Sequence, residues 1–289
     1  MNQRNAVFQP DLLQGKVILI TGGGTGLGRS MGERFLELGA RLAIAGRRED
    51  VLRAAAAEMG AGGHEVLPVP CDVRDPERVA RMIDTVWTQL GTIDVLVNNA
   101  AGNFISPTER LSHRAVDAVL NIVLHGTFYC TLEVGKRLIS AGRGGVMLNI
   151  VTTYASSGAG SGYVVPSAAA KAGVLALTRS LAVEWAHHGI RQVAIAPGPF
   201  PTPGAWERLI PTTEIEVAMT GRVPLGRVGE HQELANLASF LISDYAGYIN
   251  GEVITIDGGE WLQGAGEFNF LRSLSAEEWD AVARRARGG

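Results

Sequence analysis

Short apolar segments alternate with amphipathic segments along most of this 289-residue sequence, and this pattern predicts an α/β fold. Strands that alternate with helices are joined by right-handed crossovers, so the sheet is predicted to be parallel and covered by helices on both faces. A glycine-rich turn at residues 22–28 joins the first predicted strand to the first predicted helix. No repeat, low-complexity tract or linker interrupts the pattern. We therefore expect one domain over residues 1–289, built on a doubly wound parallel sheet.

The predicted strands are short and rich in β-branched residues. They cover residues 16–21, 41–45, 65–69, 93–97, 146–151, 191–195 and 253–256. Helices are predicted between them, several opened by proline or closed by glycine, as at Pro76, Pro166 and Gly39. Their predicted ranges are 29–38, 49–59, 76–90, 115–139, a stretch after Pro166, and 232–241.

Two terminal segments lie outside the alternating pattern. An arm of residues 1–14 precedes the first strand, and an extension from about residue 260 to residue 289 follows the last one. In the extension, Ser275 and Glu278 have the spacing of a capping box. Trp279 and Val282 lie on one face of the helix that would follow, together with Ala283 and Ala286. We expect this face to pack on the same domain or on a neighbouring subunit; a role at the mouth of the active site is the alternative.

Composition excludes several classes of partner. The formal net charge is only −3, which indicates neither a nucleic acid nor a membrane surface as partner. Cys71 and Cys130 lie in apolar or strand-like settings, so two reduced thiols are expected. The N-terminal residues resemble no signal peptide, no apolar run approaches the ~20 residues that span a bilayer, and the chain does not end in a peroxisomal tripeptide. A soluble cytoplasmic protein is the expectation.

The glycine turn predicts a dinucleotide site. It follows a strand and opens a helix, so its backbone amides and the helix dipole can meet a pyrophosphate, as in a Rossmann-type fold. An NAD site would carry an acidic residue at the end of the second strand, where this chain has Arg47 and Arg48. Two arginines can neutralise a ribose 2′-phosphate, which favours NADPH; two solvated surface arginines are the alternative. Asp72, after the third strand, is a candidate adenine contact or a helix-capping acid.

The stretch at residues 149–171 carries the candidate proton-transfer groups. It comprises an apolar strand that ends in hydroxyl residues, a glycine-rich turn and a helix opened by Pro166. Ser167 and Lys171 are one helical turn apart and share a face. Tyr154 lies just after the strand and Tyr163 just before the helix. Because parallel strands end at one sheet edge, Tyr154 is expected there together with Asn103 from the preceding strand.

Five motifs in order resemble the short-chain dehydrogenase/reductase family: Thr21-Gly22 with Gly26 and Gly28, the NNAAG run at residues 98–102, Lys171, Pro197-Gly198, and the DGG run at residues 257–259. The resemblance covers about residues 15–260. It implies a set of cofactor contacts, which we list as expectations: Gly22, Gly24, Thr25, Gly26, Leu27, Gly28, Arg47, Arg48, Asp72, Val73, Asn99, Lys171, Pro197, Gly198, Pro199 and Phe200.

One position departs from the family pattern, because Ser167 stands where a tyrosine normally lies four residues before the lysine. Residues 102–112, 164–167 and 266–269 resemble one branch of the family, the 2,4-dienoyl-CoA reductases, in which that substitution is normal. The resemblance implies that the tyrosine is Tyr154, with supporting roles for Asn103, Ser167 and Lys171. The loop between Tyr154 and Ser167 is about two residues longer than in the animal enzymes of the branch, and Tyr163 is the rival.

The branch reaction implies roles for these residues. Hydride delivered to the far end of a conjugated dienoyl thioester pushes negative charge onto the thioester oxygen, which Tyr154 and Asn103 would hold by hydrogen bonds. Lys171 would lower the tyrosine pKa and bond the nicotinamide ribose, and Ser167 would orient the network. Protonation at the α-carbon then gives a 3-enoyl-CoA.

The resemblance also places the acyl-CoA near Arg47, Arg74, Phe104, Ser112 and Arg208. Arg74 and Arg208, the latter expected in an amphipathic helix after Pro203, could equally be surface ion-pair partners. The histidines show no metal-ligand spacing, so no metal is expected. Family habit suggests a homotetramer built through the helices at residues 115–139 and 166–187.

Two other functions stay open at this point. A carbonyl or 3-oxoacyl thioester reductase of the same family would use Tyr163 or Tyr154 on a ketone. A catalytically silent NADPH-binding protein would bind the nucleotide without oxidising it.

Overall fold

The computed structural model describes residues 8–103, 105–155, 160–202, 212–266 and 268–287. Within these ranges seven strands form one parallel sheet in the order β3-β2-β1-β4-β5-β6-β7, which confirms the predicted fold class. The strands are β1 (Val17–Thr21), β2 (Arg41–Gly46), β3 (Val66–Pro70), β4 (Val95–Asn98), β5 (Gly145–Ile150), β6 (Ile190–Pro197) and β7 (Val253–Ile256). The strand order reverses between β1 and β4, where ligands bind in doubly wound sheets.

Ten α-helices occur in the described ranges, and most agree with the predicted segments to within a few residues. They are α1 (Gly26–Glu37), α2 (Glu49–Gly60), α3 (Pro76–Leu90), α4 (His113–Leu120), α5 (Gly126–Ser140), α6 (Val165–Glu184), α7 (Thr213–Arg222), α8 (His231–Ile242), α9 (Glu260–Ala265) and α10 (Ala276–Arg287). The helices α7 and α9 were not predicted.

Both faces of the sheet are covered. On one face, Phe35 of α1, Leu52 of α2 and Leu234 of α8 join a cluster of buried side chains from the central strands. On the other face, Ile83 of α3 and Val134 of α5 bury against the alternate residues of the same strands. The central strands β1 and β4 are buried along their whole length, which is why their sequences are almost continuously apolar.

The predicted helix at residues 115–139 is not one regular α-helix. A π-helical turn at Asn121–His125 separates α4 from α5. Length and composition alone would let the whole run at His113–Ser140 cross a membrane. Its buried residues, however, pack against the sheet and against α6, as the side chains of Val123, Cys130 and Val134 show. It is a core helix of the domain.

The C-terminal helix α10 begins as the sequence predicts. The amide of Glu278 donates to Ser275 Oγ at 3.2 Å, and the amide of Ser275 donates to Glu278 Oε2 at 2.7 Å. These reciprocal bonds form the capping box. Trp279 and Val282 keep part of their surface exposed.

Candidate active site

Glycines of the turn between β1 and α1 stand at positions that cannot hold a side chain. Gly22 has a φ of 68°, in the left-handed region. A Cβ atom on Gly28 would lie 2.4 Å from the carbonyl oxygen of Gly22 and 2.5 Å from Asn99 Nδ2. Only glycine lets α1 approach the turn this closely.

The predicted cofactor residue Asn99 braces this turn. Its Nδ2 donates to the carbonyl oxygens of Thr21 at 3.1 Å and Gly22 at 3.2 Å. In return, the hydroxyl of Thr21 accepts hydrogen bonds from the amides of Asn99 and Ala100, both at 3.0 Å. The ends of β1 and β4 are therefore tied together, and the turn is held in shape by the protein itself.

A cleft with a cavity volume of about 150 Å³ lies above the turn. The predicted cofactor residues in its wall are Gly22, Gly24, Thr25, Arg47, Arg48, Asp72 and Val73. The sequence interpretation missed the other wall residues, which are Ala45, Gly46, Val51, Leu52, Cys71, Ala100, Ala101 and Ile122. Ala100 and Ala101 could have been found, because they belong to the NNAAG run at residues 98–102.

Some arginine side chains at the rim of the cleft form ion pairs with carboxylates, and others do not. Arg47 and Arg48 are exposed, and within the described residues neither pairs with a carboxylate. Arg74, in contrast, holds Asp72 in a two-pronged ion pair, with Nη2 at 2.5 Å from Oδ2 and Nε at 2.9 Å from Oδ1. Arg74, with a smaller effect of Arg47, holds the pKa of Asp72 below its ordinary value. The free positive charge at this end of the cleft is that of Arg47 and Arg48.

The predicted contacts that follow β6 do not line this cleft; Pro199 and Phe200 line a second pocket, with Leu225 and Asp257 among its other residues. The amide of Gly198 donates to the carbonyl oxygen of Ile256 at 3.0 Å, and the carbonyl of Pro199 accepts from the amide of Gly229 at 2.9 Å. The predicted contact Phe200 has its ring buried in the core beneath the sheet edge. Its side chain therefore serves packing, and only its backbone lies along the loop.

The structure brings Tyr154 and Ser167 together. Tyr154 lies on a single 3-10 turn at Thr153–Ala155, just beyond the end of β5. Its Oη is 3.2 Å from Ser167 Oγ, which α6 presents in its first turn. Ser167 is only 3% exposed. The hydroxyl of Ser167 thus meets the phenol of a residue thirteen positions earlier in the chain.

Lys171 lies one turn further along α6 and is 8% exposed. Its Nζ donates to the carbonyl oxygen of Ile150, the last residue of β5. Burial lowers the pKa of Lys171 to about 8. No carboxylate in the described part of the chain offsets this cost, so the ammonium loses its proton near pH 8.

The rival tyrosine, Tyr163, lies elsewhere. It is 63% exposed, and its backbone has a φ of 65°, which is uncommon for a bulky side chain. Its carbonyl oxygen accepts a hydrogen bond from the amide of Ser106 at 2.9 Å. Among the described residues its phenol makes no hydrogen bond. Its contact is therefore with the segment that follows Asn103, and Ser167 is left to Tyr154.

Asn103 and the π-helical turn complete this edge of the sheet. Asn103 is partly buried and follows Gly102, whose Cβ would lie 3.2 Å from Ile122 Cδ1. Ile122 also forms part of the cleft wall, while Val123 packs with residues of α6 such as Ala170. The π-helical turn therefore connects the cleft to the helix that carries Lys171. π-helical turns often mark functional sites, but no sequence signal predicts one here.

The remaining predicted substrate residues are less informative. Ser112 caps α4, its Oγ accepting from the amide of Ala115 at 3.2 Å. Phe104 and Arg208 lie outside the described residues.

Both cysteine thiols are free and buried. Burial raises the pKa of Cys71 to about 11 and raises that of Cys130 further. The described residues contain no cluster of three or more potential metal ligands.

Fold and cleft together define a dinucleotide-binding oxidoreductase. A family model described as enoyl-(acyl carrier protein) reductase matches residues 22–260. The chain belongs to the short-chain dehydrogenase/reductase family, whose members use NAD or NADP. The resemblance noted from the motifs is thereby confirmed at the level of the family.

Three proteins of similar sequence are informative about the branch of the family. An uncharacterized oxidoreductase of Caenorhabditis elegans is 47% identical, covering 99% of this chain and 92% of its own length. A probable (2E)-enoyl-CoA-producing 2,4-dienoyl-CoA reductase of Bacillus subtilis is 45% identical, over 86% of this chain and 98% of its own. A probable (3E)-enoyl-CoA-producing 2,4-dienoyl-CoA reductase of Caenorhabditis elegans is 42% identical, over 98% and 93%. The reductase branch is thus represented among proteins similar to nearly the whole chain.

A solved structure is also similar. The crystal structure of a short chain dehydrogenase from Bacillus anthracis has a TM-score of 0.78 and 44% sequence identity, covering 86% of this chain and 97% of its own. The likeness therefore extends over the whole Rossmann-type domain.

Proposed function

We propose that this chain is an NADPH-dependent 2,4-dienoyl-CoA reductase that yields a 3-enoyl-CoA and acts in the β-oxidation of unsaturated fatty acids. The observation that carries the proposal is the 3.2 Å contact between Tyr154 Oη and Ser167 Oγ. Ser167 occupies the helix position where the family normally has its tyrosine, and the phenol reaches that position from the end of β5. The names of both similar reductases support reduction of a 2,4-dienoyl-CoA, but only the Caenorhabditis elegans relative is named for a (3E)-enoyl-CoA product; the Bacillus subtilis relative is named for a (2E)-enoyl-CoA product.

The position of the phenol suits the stabilisation of an oxyanion. Addition of hydride to the δ-carbon of a 2,4-dienoyl thioester moves an electron pair through the diene to the thioester oxygen. Tyr154 and Asn103 are the proposed donors to that oxygen, both lying at the carboxyl edge of the sheet. Removal of one such donor typically costs ~3 kcal/mol of transition-state stabilisation. The dienolate then takes one proton at the α-carbon, which leaves a single double bond at C3.

Ser167 and Lys171 are proposed to support the phenol. Ser167 is buried, so its hydroxyl can fix the orientation of Tyr154 without competition from water. Lys171 is one turn away and carries its charge below a pH of about 8. An ammonium in this place can donate to the nicotinamide ribose.

NADPH is the proposed cofactor, and it supplies the hydride when bound. Two features of the cleft fit it. The turn at residues 22–28 offers backbone amides where the close packing of Gly28 excludes side chains. Arg47 and Arg48 lie exposed just after β2, where they are available to a 2′-phosphate. Arg53, in the following helix α2, is instead paired with Glu49 at 2.5 Å.

The acyl-CoA is proposed to enter beside Ser112 and Arg74, with Arg47 and the two residues outside the described ranges, Phe104 and Arg208, as further contacts. Arg74 would share its guanidinium between Asp72 and the substrate. We also propose a homotetramer, because α5 and α6 carry exposed apolar side chains on their outer faces, among them Phe128 and Val183. Light scattering of the purified protein gives the oligomeric state directly.

The test of the function is a substrate panel with product analysis. The purified protein is mixed with NADPH and a 2,4-dienoyl-CoA, a 3-oxoacyl-CoA or a simple ketone, and NADPH oxidation is followed by absorbance. We expect oxidation with the dienoyl-CoA only, and NMR of the product should show a 3-enoyl thioester. Ketone reduction without dienoyl turnover would identify a carbonyl reductase. NADPH binding with no turnover of any substrate would identify a silent binding protein.

A further inference from the structure

His231 connects two parts of the dinucleotide site that are far apart in sequence. It is the first residue of α8 and is partly buried. Its Nε2 lies 2.5 Å from the carbonyl oxygen of Pro201, in the loop after β6. Its Nδ1 lies 2.9 Å from the hydroxyl of Ser30 on α1. One imidazole ring thus contacts both the loop and the helix that the glycine turn opens.

The two partners of His231 lie against the glycine turn. Ser30 is one turn into α1, and its hydroxyl lies 3.2 Å from the carbonyl oxygen of Gly26. On the loop side, a Cβ on Gly26 would lie 3.2 Å from Cγ2 of Thr202, the neighbour of Pro201. The loop therefore packs against the glycine turn at Thr202. The imidazole of His231 links the two by hydrogen bonds to Pro201 and Ser30.

The helix that carries His231 is firmly anchored. Glu230 and Glu233 form a capping box at its start, and Arg227 binds Glu233 through two hydrogen bonds of 2.7 and 2.8 Å. Further along, Arg34 Nε of α1 donates to Asn236 Oδ1 of α8 at 3.0 Å. The imidazole is thereby fixed relative to α1. The loop is held beyond Gly198 by the bond from Gly229 to Pro199, by the buried ring of Phe200 and, at Pro201, by the bond from His231.

We propose that His231 is a positioning residue for dinucleotide binding, which holds the loop at residues 198–202 closed over the glycine turn. With its proton on Nε2, the neutral imidazole donates to Pro201, and Nδ1 accepts the single proton of Ser30 when that hydroxyl turns to it from the carbonyl of Gly26. The bond to Pro201 is the one that matters for the loop, and the bond to Ser30 orients the ring. The inference rests on the dinucleotide site alone and is independent of the acyl substrate.

Two substitutions of His231 distinguish the contribution of its bond to Pro201 from that of its bond to Ser30. In His231→Gln the side-chain amide reaches about as far as Nε2, so it can still donate to Pro201 but leaves Ser30. In His231→Asn the amide reaches only as far as Nδ1, so it can still meet Ser30 but loses Pro201. Both variants keep an uncharged amide at the first position of α8, and therefore perturb the helix start alike.

Two quantities are measured on the full-length chain of each variant. Hydrogen exchange of the Phe200 and Thr202 amides is measured without nucleotide, because Pro199 and Pro201 carry no amide hydrogen and the Gly198 amide is bonded to Ile256. The NADPH dissociation constant is measured by fluorescence titration without acyl-CoA. We expect His231→Asn to speed the exchange and to raise the dissociation constant about fivefold, as loss of one neutral hydrogen bond gives. His231→Gln should stay within about twofold of the wild type in both readouts.

Equal effects of the two substitutions, or no effect of His231→Asn on exchange, would overturn the proposal. The exchange readout needs no ligand, so it decides the loop contact even if the protein prefers NADH to NADPH. A failure of dienoyl-CoA turnover would count against the proposed function and leave this result standing.

Discussion

Replacement of Lys171 by methionine should make the protein more stable at neutral pH. The ammonium is buried without a carboxylate partner among the described residues, and its pKa falls from 10.5 to about 8. At ~1.4 kcal/mol per pH unit, the charged side chain costs about 3 kcal/mol of folding free energy at pH 7. Methionine fills a similar volume but leaves the carbonyl of Ile150 without its donor, which costs ~1 kcal/mol. The net expectation for Lys171→Met is a gain of about 2 kcal/mol.

The pH dependence identifies the cause. Because the folded-state pKa lies below the unfolded one, the unfolded chain binds more protons between pH 8 and pH 10.5, and the unfolding free energy of the wild type rises with pH in that window. The penalty is complete below pH 8 and gone above pH 10.5. At pH 10 it has fallen to ~1 kcal/mol, so wild type and Lys171→Met should then be nearly equal in stability.

Urea unfolding of the nucleotide-free protein, followed by circular dichroism at pH 7 and pH 10, measures both values. Lys136→Met is the matched control, because Lys136 is exposed and pairs with Glu133 on the surface of α5. It should change the unfolding free energy by less than ~1 kcal/mol at either pH. If Lys171→Met is destabilising by the same amount at pH 7 and pH 10, the buried charge carries no penalty and the reasoning is refuted.

Two further predictions concern the dinucleotide cleft. Arg47→Leu combined with Arg48→Leu should raise the KM for NADPH at least about tenfold and leave that for NADH nearly unchanged, since each charge-assisted bond to a phosphate is worth ~1.5–3 kcal/mol; the control Arg53→Leu should change neither KM. Gly28→Ala should destabilise the fold by ~1–3 kcal/mol and abolish nucleotide binding, because the methyl group would collide with the Gly22 carbonyl. Gly60→Ala, where a methyl group meets nothing within 4 Å, should keep the melting temperature and the nucleotide affinity of the wild type.

The regular elements could be predicted because the strands form short continuous apolar runs and the helices have one apolar face. β1 and β2 are buried through most of their length, and α3 begins at a proline and ends before a left-handed glycine, Gly91. The helix α7 was missed for the opposite reason. It buries none of its side chains, so its sequence has no apolar face to detect. The π-helical turn at Asn121–His125 was missed because its sequence continues the helical pattern on both sides.

At the site, sequence motifs identified the groups but not all of their contacts. The glycine turn could be predicted because its geometry excludes side chains. The pairing of Asp72 with Arg74 is local, and the sequence interpretation left it open as one alternative. The contact of Tyr154 with Ser167 and that of His231 with Ser30 join residues on different elements, and only the folded sheet edge brings them together.

The most direct test of the proposed mechanism compares Tyr154→Phe with Tyr163→Phe in the NADPH-dependent reduction of a 2,4-dienoyl-CoA. Each substitution removes one hydroxyl and keeps the ring, so both proteins should fold and bind NADPH as the wild type does. The proposal predicts that Tyr154→Phe lowers kcat at least about a hundredfold, as loss of an oxyanion donor does. Tyr163→Phe should retain nearly full kcat. Full activity of Tyr154→Phe, or loss of activity in Tyr163→Phe alone, would contradict it.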